Sequence, residues 1–405
     1  MSSALGDKKG RVADSSDLTK LQRESAVLAA YTTYTGLSVN KKANRQLGND
    51  CKFTLGRGGL TLIADSTTGV TRNPVTGALV VAPYTPQRLP TQFFVIAGGL
   101  GANKMAYSSD NGVTWQPSTS GNTVFDGGQV SAIARNGTMF VAGGLQTNKL
   151  AYSTDRTTWQ GSTSGNTLFD GGQVLAISWN GTMFVAGGGA YDESPGSRLA
   201  YSYDGITWFP SANGTSIFDF MVQALGWNGT KWVAVGYANT NNIGYSPDGI
   251  TWYPSTNGKT IFNGVRAVFW TGTMWLAGGN GDNSLAYSYD GMTWYPSTSG
   301  NSLFVEVTSF ASNEAGVLVA GGGGGPNSLA YSFDYGVTWN ASTSGNSVMV
   351  DYVWCLTWTG TNFVAGALYG ETNRIAYSPD GITWTASTSG NTLFAGGQVL
   401  SLGYG

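Results

Sequence analysis

The chain of 405 residues contains no histidine. That absence removes Ser-His-Asp and Cys-His nucleophiles and histidine-based zinc sites, and leaves carboxylate chemistry as the remaining catalytic option. Cysteine is nearly missing too: Cys51 and Cys355 are too few for a disulfide framework, and sequence leaves open whether they pair. Charged residues make up only 11%, and no apolar run approaches the ~20 residues of a membrane-spanning helix. Met1-Ser-Ser-Ala-Leu-Gly-Asp-Lys-Lys has no signal-peptide apolar core, so a soluble protein made in the cytosol is expected. No cofactor or metal is expected. Tryptophan is absent before Trp115, and all 14 lie at or beyond it, so residues 1–91 form a compositionally different region.

What the chain has in abundance is glycine, 60 residues, and a recurring stretch. Leu150-Ala-Tyr-Ser-Thr-Asp155-Arg-Thr-Thr-Trp159 is one of seven copies. The others contain Ser108-Ser-Asp110-Asn-Gly112-Val-Thr-Trp115, Ser202-Tyr-Asp204-Gly-Ile-Thr-Trp208, Ser246-Pro-Asp248-Gly-Ile-Thr-Trp252, Ser288-Tyr-Asp290-Gly-Met-Thr-Trp294, Ser332-Phe-Asp334-Tyr-Gly336-Val-Thr-Trp339 and Ser378-Pro-Asp380-Gly-Ile-Thr-Trp384. Their tryptophans lie 44, 49, 44, 42, 45 and 45 residues apart, a period that signals propeller blades or a stacked array. Asp-Gly between alternating apolar runs is a hairpin signal, because glycine takes a positive φ without strain and a short carboxylate accepts backbone N–H groups. The tryptophan then anchors the outgoing strand.

These stretches resemble the Asp-box, or bacterial neuraminidase repeat, Ser-x-Asp-x-Gly-x-Thr-Trp, from about residue 92 to the end. Asp155-Arg-Thr lacks the glycine, and Asn111 and Tyr335 lengthen their turns by one residue. The resemblance implies that the aspartates form turns between the third and fourth strands of a blade and are not catalysts. Gly143-Gly144, Tyr152 and Trp159 are also similar to the kelch repeat, which likewise builds propellers.

Each unit is expected to hold four strands. In one copy these are Val174–Trp179 (a), Thr182–Ala186 (b), Leu199–Ser202 (c) and a strand d through Thr207-Trp208, with the Ser-Thr-Ser-Gly-Asn-Thr-x-Phe unit linking to the next blade. The repeats begin with strand b, Phe93–Ala97, and finish with strand a, Gln398–Leu402, so the last residues should complete the first blade and close a seven-bladed ring. The expectation is therefore an all-β, seven-bladed propeller over residues 92–405. Before it lies a basic arm, residues 1–91, carrying a helix over Asp17–Tyr34 and short strands at Cys51–Leu55, Leu60–Asp65, Val70–Arg72 and Ala78–Ala82. The Asn-Gly-Thr sites at Asn136, Asn180, Asn213 and Asn228, and Asn340-Ala-Ser, match the glycosylation pattern but read as turns.

Turns a–b and c–d should share one rim, and loops b–c the other. The b–c loops are the most variable part of the repeat. In the longest, Tyr191, Asp192, Glu193 and Arg198 are candidate contacts for a sugar or peptide, with Arg374 on the corresponding loop of the last blade. Strand a should line a polar, water-filled channel, where Gln129, Gln173 and Gln398 recur and Arg266 and Glu306 stand at or near the same place.

The neuraminidase resemblance makes sialidase the enzymatic case to weigh. Sialidases are six-bladed, hold the substrate carboxylate with three arginines, and use a Tyr-Glu pair with an Asp acid. Arg88-Leu-Pro90 is similar to their Arg-Ile-Pro opening, but the repeat region has only Arg135, Arg156, Arg198, Arg266 and Arg374, and Arg156 lies in a turn. Residues 1–91 carry 12 basic and 6 acidic residues, a net of +6, whereas the remainder has 9 basic and 17 acidic, a net of −8. The negative propeller disfavours nucleic acid as its ligand. The favoured expectation is a non-enzymatic scaffold, docked through its arm to other proteins or to copies of itself within a larger assembly such as a virus particle. The alternative is a glycan-handling protein, lectin-like or sialidase-like.

Overall fold

The computed structural model describes residues 94–190, 196–313, 315–368 and 373–404, together with the backbone of strands Cys51–Gly56, Gly59–Ala64, Val70–Arg72 and Leu79–Val81. The chain divides into two units, Met1–Thr91 and Gln92–Gly405. In the first, Cys51–Gly56 pairs antiparallel with Gly59–Ala64, and Val70–Arg72 with Leu79–Val81. The expected helix over Asp17–Tyr34 lies outside the described residues.

The second unit is a β-propeller of seven four-stranded antiparallel blades. Blades are numbered by their Ser-x-Asp turns, so that blade 1 carries Asp110 and blade 7 Asp380. In blade 3, strand a is Gln173–Trp179, b is Phe184–Gly189, c is Leu199–Ser202 and d is Phe209–Pro210. Strand d therefore starts after the tryptophan and is only two residues long. Strand b runs through its glycines. The link is a short helix, Thr163–Leu168, because the Ser162 hydroxyl accepts the Gly165 N–H at 3.1 Å and caps its first turn.

Strand b has both faces covered and so reads as a continuous buried run, Phe184-Val-Ala-Gly-Gly-Gly. Its first two glycines answer to packing. A Cβ on Gly187 would lie 2.5 Å from a Val222 methyl of the next blade, and one on Gly188 1.9 Å from the Gln173 carbonyl oxygen. That second contact sits where strand a bulges between Val174 and Ala176, an irregularity that recurs in every blade.

The ring is closed three times over. Gln398–Tyr404 pairs with Val95–Leu100, from Gln398 opposite Leu100 to Tyr404 opposite Val95, and supplies blade 1 with its strand a. The strands a of successive blades touch one another in order, and that of blade 7 touches Gln398–Tyr404. The core is partitioned among the seams: seven buried clusters each join neighbouring blades, and one unites Val364 and Ile375 of blade 7 with Val95 and Trp115 of blade 1.

Two of the expected Asn turns are differently placed. Asn136, Asn180 and Asn228 accept backbone N–H groups in a–b turns, followed by glycines at φ 98°, 101° and 98°. Asn213 instead precedes the helix Gly214–Ile217, where its side chain bonds the backbone of Trp252, and Asn340 lies in strand d of blade 6.

Candidate functional site

The Ser-x-Asp turns are hydrogen-bonded from within. In blade 3, Asp204 Oδ1 accepts the N–H groups of Ile206 and Thr207 at 2.8 and 2.7 Å and the Ser202 hydroxyl at 3.0 Å, while Ser202 Oγ accepts Gly205 N–H at 2.8 Å. Asp248, Asp290 and Asp380 repeat this pattern. In the longer turns Asp110 and Asp334 bind Thr114 and Thr338, with Asn111 and Tyr335 at φ 60° and 62°. Where Asp155 lacks its glycine, Arg156 itself adopts φ 74°. Burial pushes the Asp204 carboxyl upward, but its backbone hydrogen bonds outweigh that effect and hold it below 3.8, and the same balance lowers Asp248, Asp290 and Asp380. For Asp110 and Asp334 the opposing bonds come first from the threonine hydroxyl; for Asp155 the Thr158 N–H is the largest influence. Trp115, Trp159, Trp208, Trp252, Trp294, Trp339 and Trp384 are all buried.

Among the described residues, side-chain hydrogen bonds tie the b–c loops to the backbone around them. Tyr191, Asp192 and Glu193 lie outside the described residues. Arg198 is 3% exposed, and its guanidinium donates to the Asp219 carbonyl at 2.9 and 3.2 Å and to the Gly196 carbonyl at 3.1 Å. It braces the backbone from below instead of facing solvent on the loop. Arg374 is half-buried, and its N–H donates to Asn391 Oδ1 at 2.6 Å. Asn391 belongs to a recurring device: an asparagine of the link helix holds the start of strand c and binds a second asparagine in the loop. The pairs are Asn122 with Asn103, Asn166 with Asn148, Asn301 with Asn283, Asn346 with Asn327, and Asn391 with Asn373. Their signal was the recurrence of asparagine at both places.

The channel is a cavity of about 800 Å³ lined by the strands a. Gln129, Gln173 and Gln398 face it as expected, Gln129 donating to Gln173 at 3.3 Å. One sector is different. The Arg266 Nε donates to Glu306 Oε1 at 2.8 Å in an ion pair, and the Asn280 amide donates to the same oxygen at 3.1 Å and to the Tyr237 hydroxyl at 3.0 Å. The Tyr352 hydroxyl donates to Glu306 Oε2. The guanidinium lies 4.8 Å from the Tyr237 ring centre and 5.2 Å from that of Trp354. Burial, followed by the bond to Glu306, raises the Tyr352 phenol well above its ordinary 10. Tyr237, Asn280, Tyr352 and Trp354 were not anticipated. Arg266 is the extra residue of a strand-a bulge, between Val265 and Ala267, and Trp354 the extra residue between Val353 and Cys355. Strict alternation does not anticipate which side chains a bulge sends inward. Cys355, beside Trp354, is a free, buried thiol.

Among the described residues no group of three His, Cys, Asp or Glu side chains could hold a metal ion, and no helix is long and apolar enough to cross a membrane. No protein-family model and no curated protein matches the chain. Similar solved structures include YCF48 bound to D1 peptide, 15% identical over 75% of this chain and 87% of that one with a TM-score of 0.49. YCF48 from Cyanidioschyzon merolae is 14% identical over 67% and 92%, with a TM-score of 0.44. A nidogen/laminin complex is 8% identical over 77% and 98%, with a TM-score of 0.46. Likeness of this degree carries no argument about what the chain binds; the architecture rests on its seven blades.

Proposed function

We propose that this protein is a non-enzymatic interaction scaffold: a propeller of Asp-box repeats, presented by the basic residues 1–91 as a docking arm, in a larger assembly such as a virus particle. One observation carries the reading: the carboxylates with the best claim to chemistry are engaged in holding the fold. The seven turn aspartates bond their own turns, and Glu306 is held by Arg266, Asn280 and Tyr352. The net of +6 on the arm against −8 on the propeller supports docking through the arm.

The glycan-handling alternative has one contact in its favour. Tyr352 and Glu306 form a Tyr-Glu pair in the channel, as the neuraminidase resemblance implies for a sialidase. Against it, the Tyr352 phenol is raised, which opposes the phenolate a nucleophile requires, and the pair has Arg266 beside it and not three arginines. The full chain should therefore leave a fluorogenic sialoside unhydrolysed and bind no member of a glycan array. Turnover abolished by Tyr352→Phe would replace the scaffold with an enzyme.

A further inference from the structure

The blades also differ on their outer edge. In blades 1 and 2 the strand-c tyrosines, Tyr107 and Tyr152, each donate a 3.0 Å hydrogen bond to a strand-d glutamine, Gln116 or Gln160. In blades 3, 4 and 5 that glutamine is replaced by Phe209, Tyr253 and Tyr295, whose rings pack on the strand-c tyrosine with centres 5.6 Å apart. The residue before the turn aspartate follows the same division. It is Ser109 or Thr154 in blades 1 and 2, but Tyr203, Tyr289 and Phe333 in blades 3, 5 and 6. The fold does not need these rings, since blades 1, 2 and 7 close without them. They are nevertheless left in water: Tyr289 is 68% exposed, Phe333 60% and Tyr203 59%. Blades 3 to 6 thus each carry exposed aromatic rings on their outer edge, an arc of apolar side chains that blades 1, 2 and 7 lack.

The chemistry of the arc suits a cationic partner. Tyr203 and Tyr289 each adjoin an exposed turn aspartate, Asp204 and Asp290, and Phe333 adjoins the half-buried Asp334, so each of these rings has a carboxylate beside it in sequence. The chain already seats one cation in this row: Lys231 Nζ lies 5.1 Å from the Tyr245 ring centre and donates to the Asp290 carbonyl at 2.8 Å. We propose that the aromatic arc of blades 3 to 6 is the docking surface for a lysine- and arginine-bearing segment, residues 1–91 of a second copy of the chain. Charge complementarity selects this occupant, because those residues hold 12 of the chain's 21 basic side chains. The proposal rests on the arm-docking reading above and specifies where the arm lands.

The test is sedimentation velocity on the full chain at low and high salt, comparing it with Tyr203→Thr, Phe209→Gln, Tyr253→Gln, Tyr289→Thr and Tyr295→Gln combined. Each substitution installs a residue that blade 2 already carries at the same position. The unchanged chain should self-associate, less so at high salt, and the fivefold variant should be monomeric with an unchanged circular dichroism spectrum. Should the combined variant misfold, Tyr289→Thr alone should raise the dissociation constant about tenfold, as loss of an exposed aromatic anchor does. Association undiminished in a folded variant overturns the arc and leaves the docking arm standing. A full chain that is monomeric in every salt overturns both.

Discussion

The Ser389 hydroxyl accepts the backbone N–H of Trp115 at 2.9 Å, so the last link helix of the propeller is tied to its first tryptophan. The same bond crosses every other seam: Ser120 to Trp159, Ser164 to Trp208, Asn213 to Trp252, Asn257 to Trp294, Ser299 to Trp339 and Ser344 to Trp384. The link helices therefore act as an outer belt, while strand a of blade 1 closes the ring from within.

Ser389→Ala leaves the part-buried Trp115 N–H without its acceptor. It should cost about 1–2 kcal/mol in urea-induced unfolding. Thr388→Ala, one residue earlier on the exposed side of the same helix, should cost well under that. Equal effects from the two would mean that the belt contributes nothing.

Removing residues 398–405 strips blade 1 of strand a and exposes the unpaired N–H and C=O groups of Val95–Leu100. The truncated chain should melt at a lower temperature and associate through the open edge. An unchanged melting temperature with no association would contradict closure by this strand.

Gly143→Ala would place a Cβ 2.5 Å from a Val174 methyl across the seam between blades 2 and 3. Overpacking of that kind should cost about 1–3 kcal/mol. Gly137→Ala, in an a–b turn, meets no atom within 4 Å and is strained only by its φ of 98°. It should therefore be the milder change.

The turn aspartates make a prediction about acid. Their carboxyls are lowered in the folded chain relative to 3.8, so the folded state binds fewer protons than the unfolded one as pH falls toward that range. Their stabilisation is complete above about 3.8 and is lost as pH drops through the lowered values. Melting temperature should be flat near neutrality and fall below pH 4, and Asp204→Asn should make that fall shallower.

Blade number, ring closure and the turn role of the aspartates were legible because they depend on local chemistry repeated at a fixed period. Asp204 and Thr207 are three residues apart, so their bond is a property of one short peptide. Arg266 and Glu306 were expected at the channel, but their pairing and the Tyr237, Asn280, Tyr352 and Trp354 shell around them were not legible in the same way. Arg266 meets Glu306 only because neighbouring blades bring their strands a together, and Arg266 is the extra residue of a bulge. Arg198 shows the converse. It belongs to a variable loop in sequence, yet two bonds to the Asp219 carbonyl draw it below the surface. The helical link was not legible because Ser-Thr-Ser-Gly-Asn-Thr has the composition of a loop; in the fold its serine caps the first turn.

The arm is the centre of this account, and light scattering after size exclusion, on the full chain and on residues 92–405, tests it most directly. Residues 92–405 should be monomeric at any salt, since their ring closes on itself, and the full chain should be larger at low salt and shrink as salt screens +6 from −8. A monomeric full chain in every condition, together with an unfolded 92–405, would show that residues 1–91 complete the propeller's own fold and do not dock it.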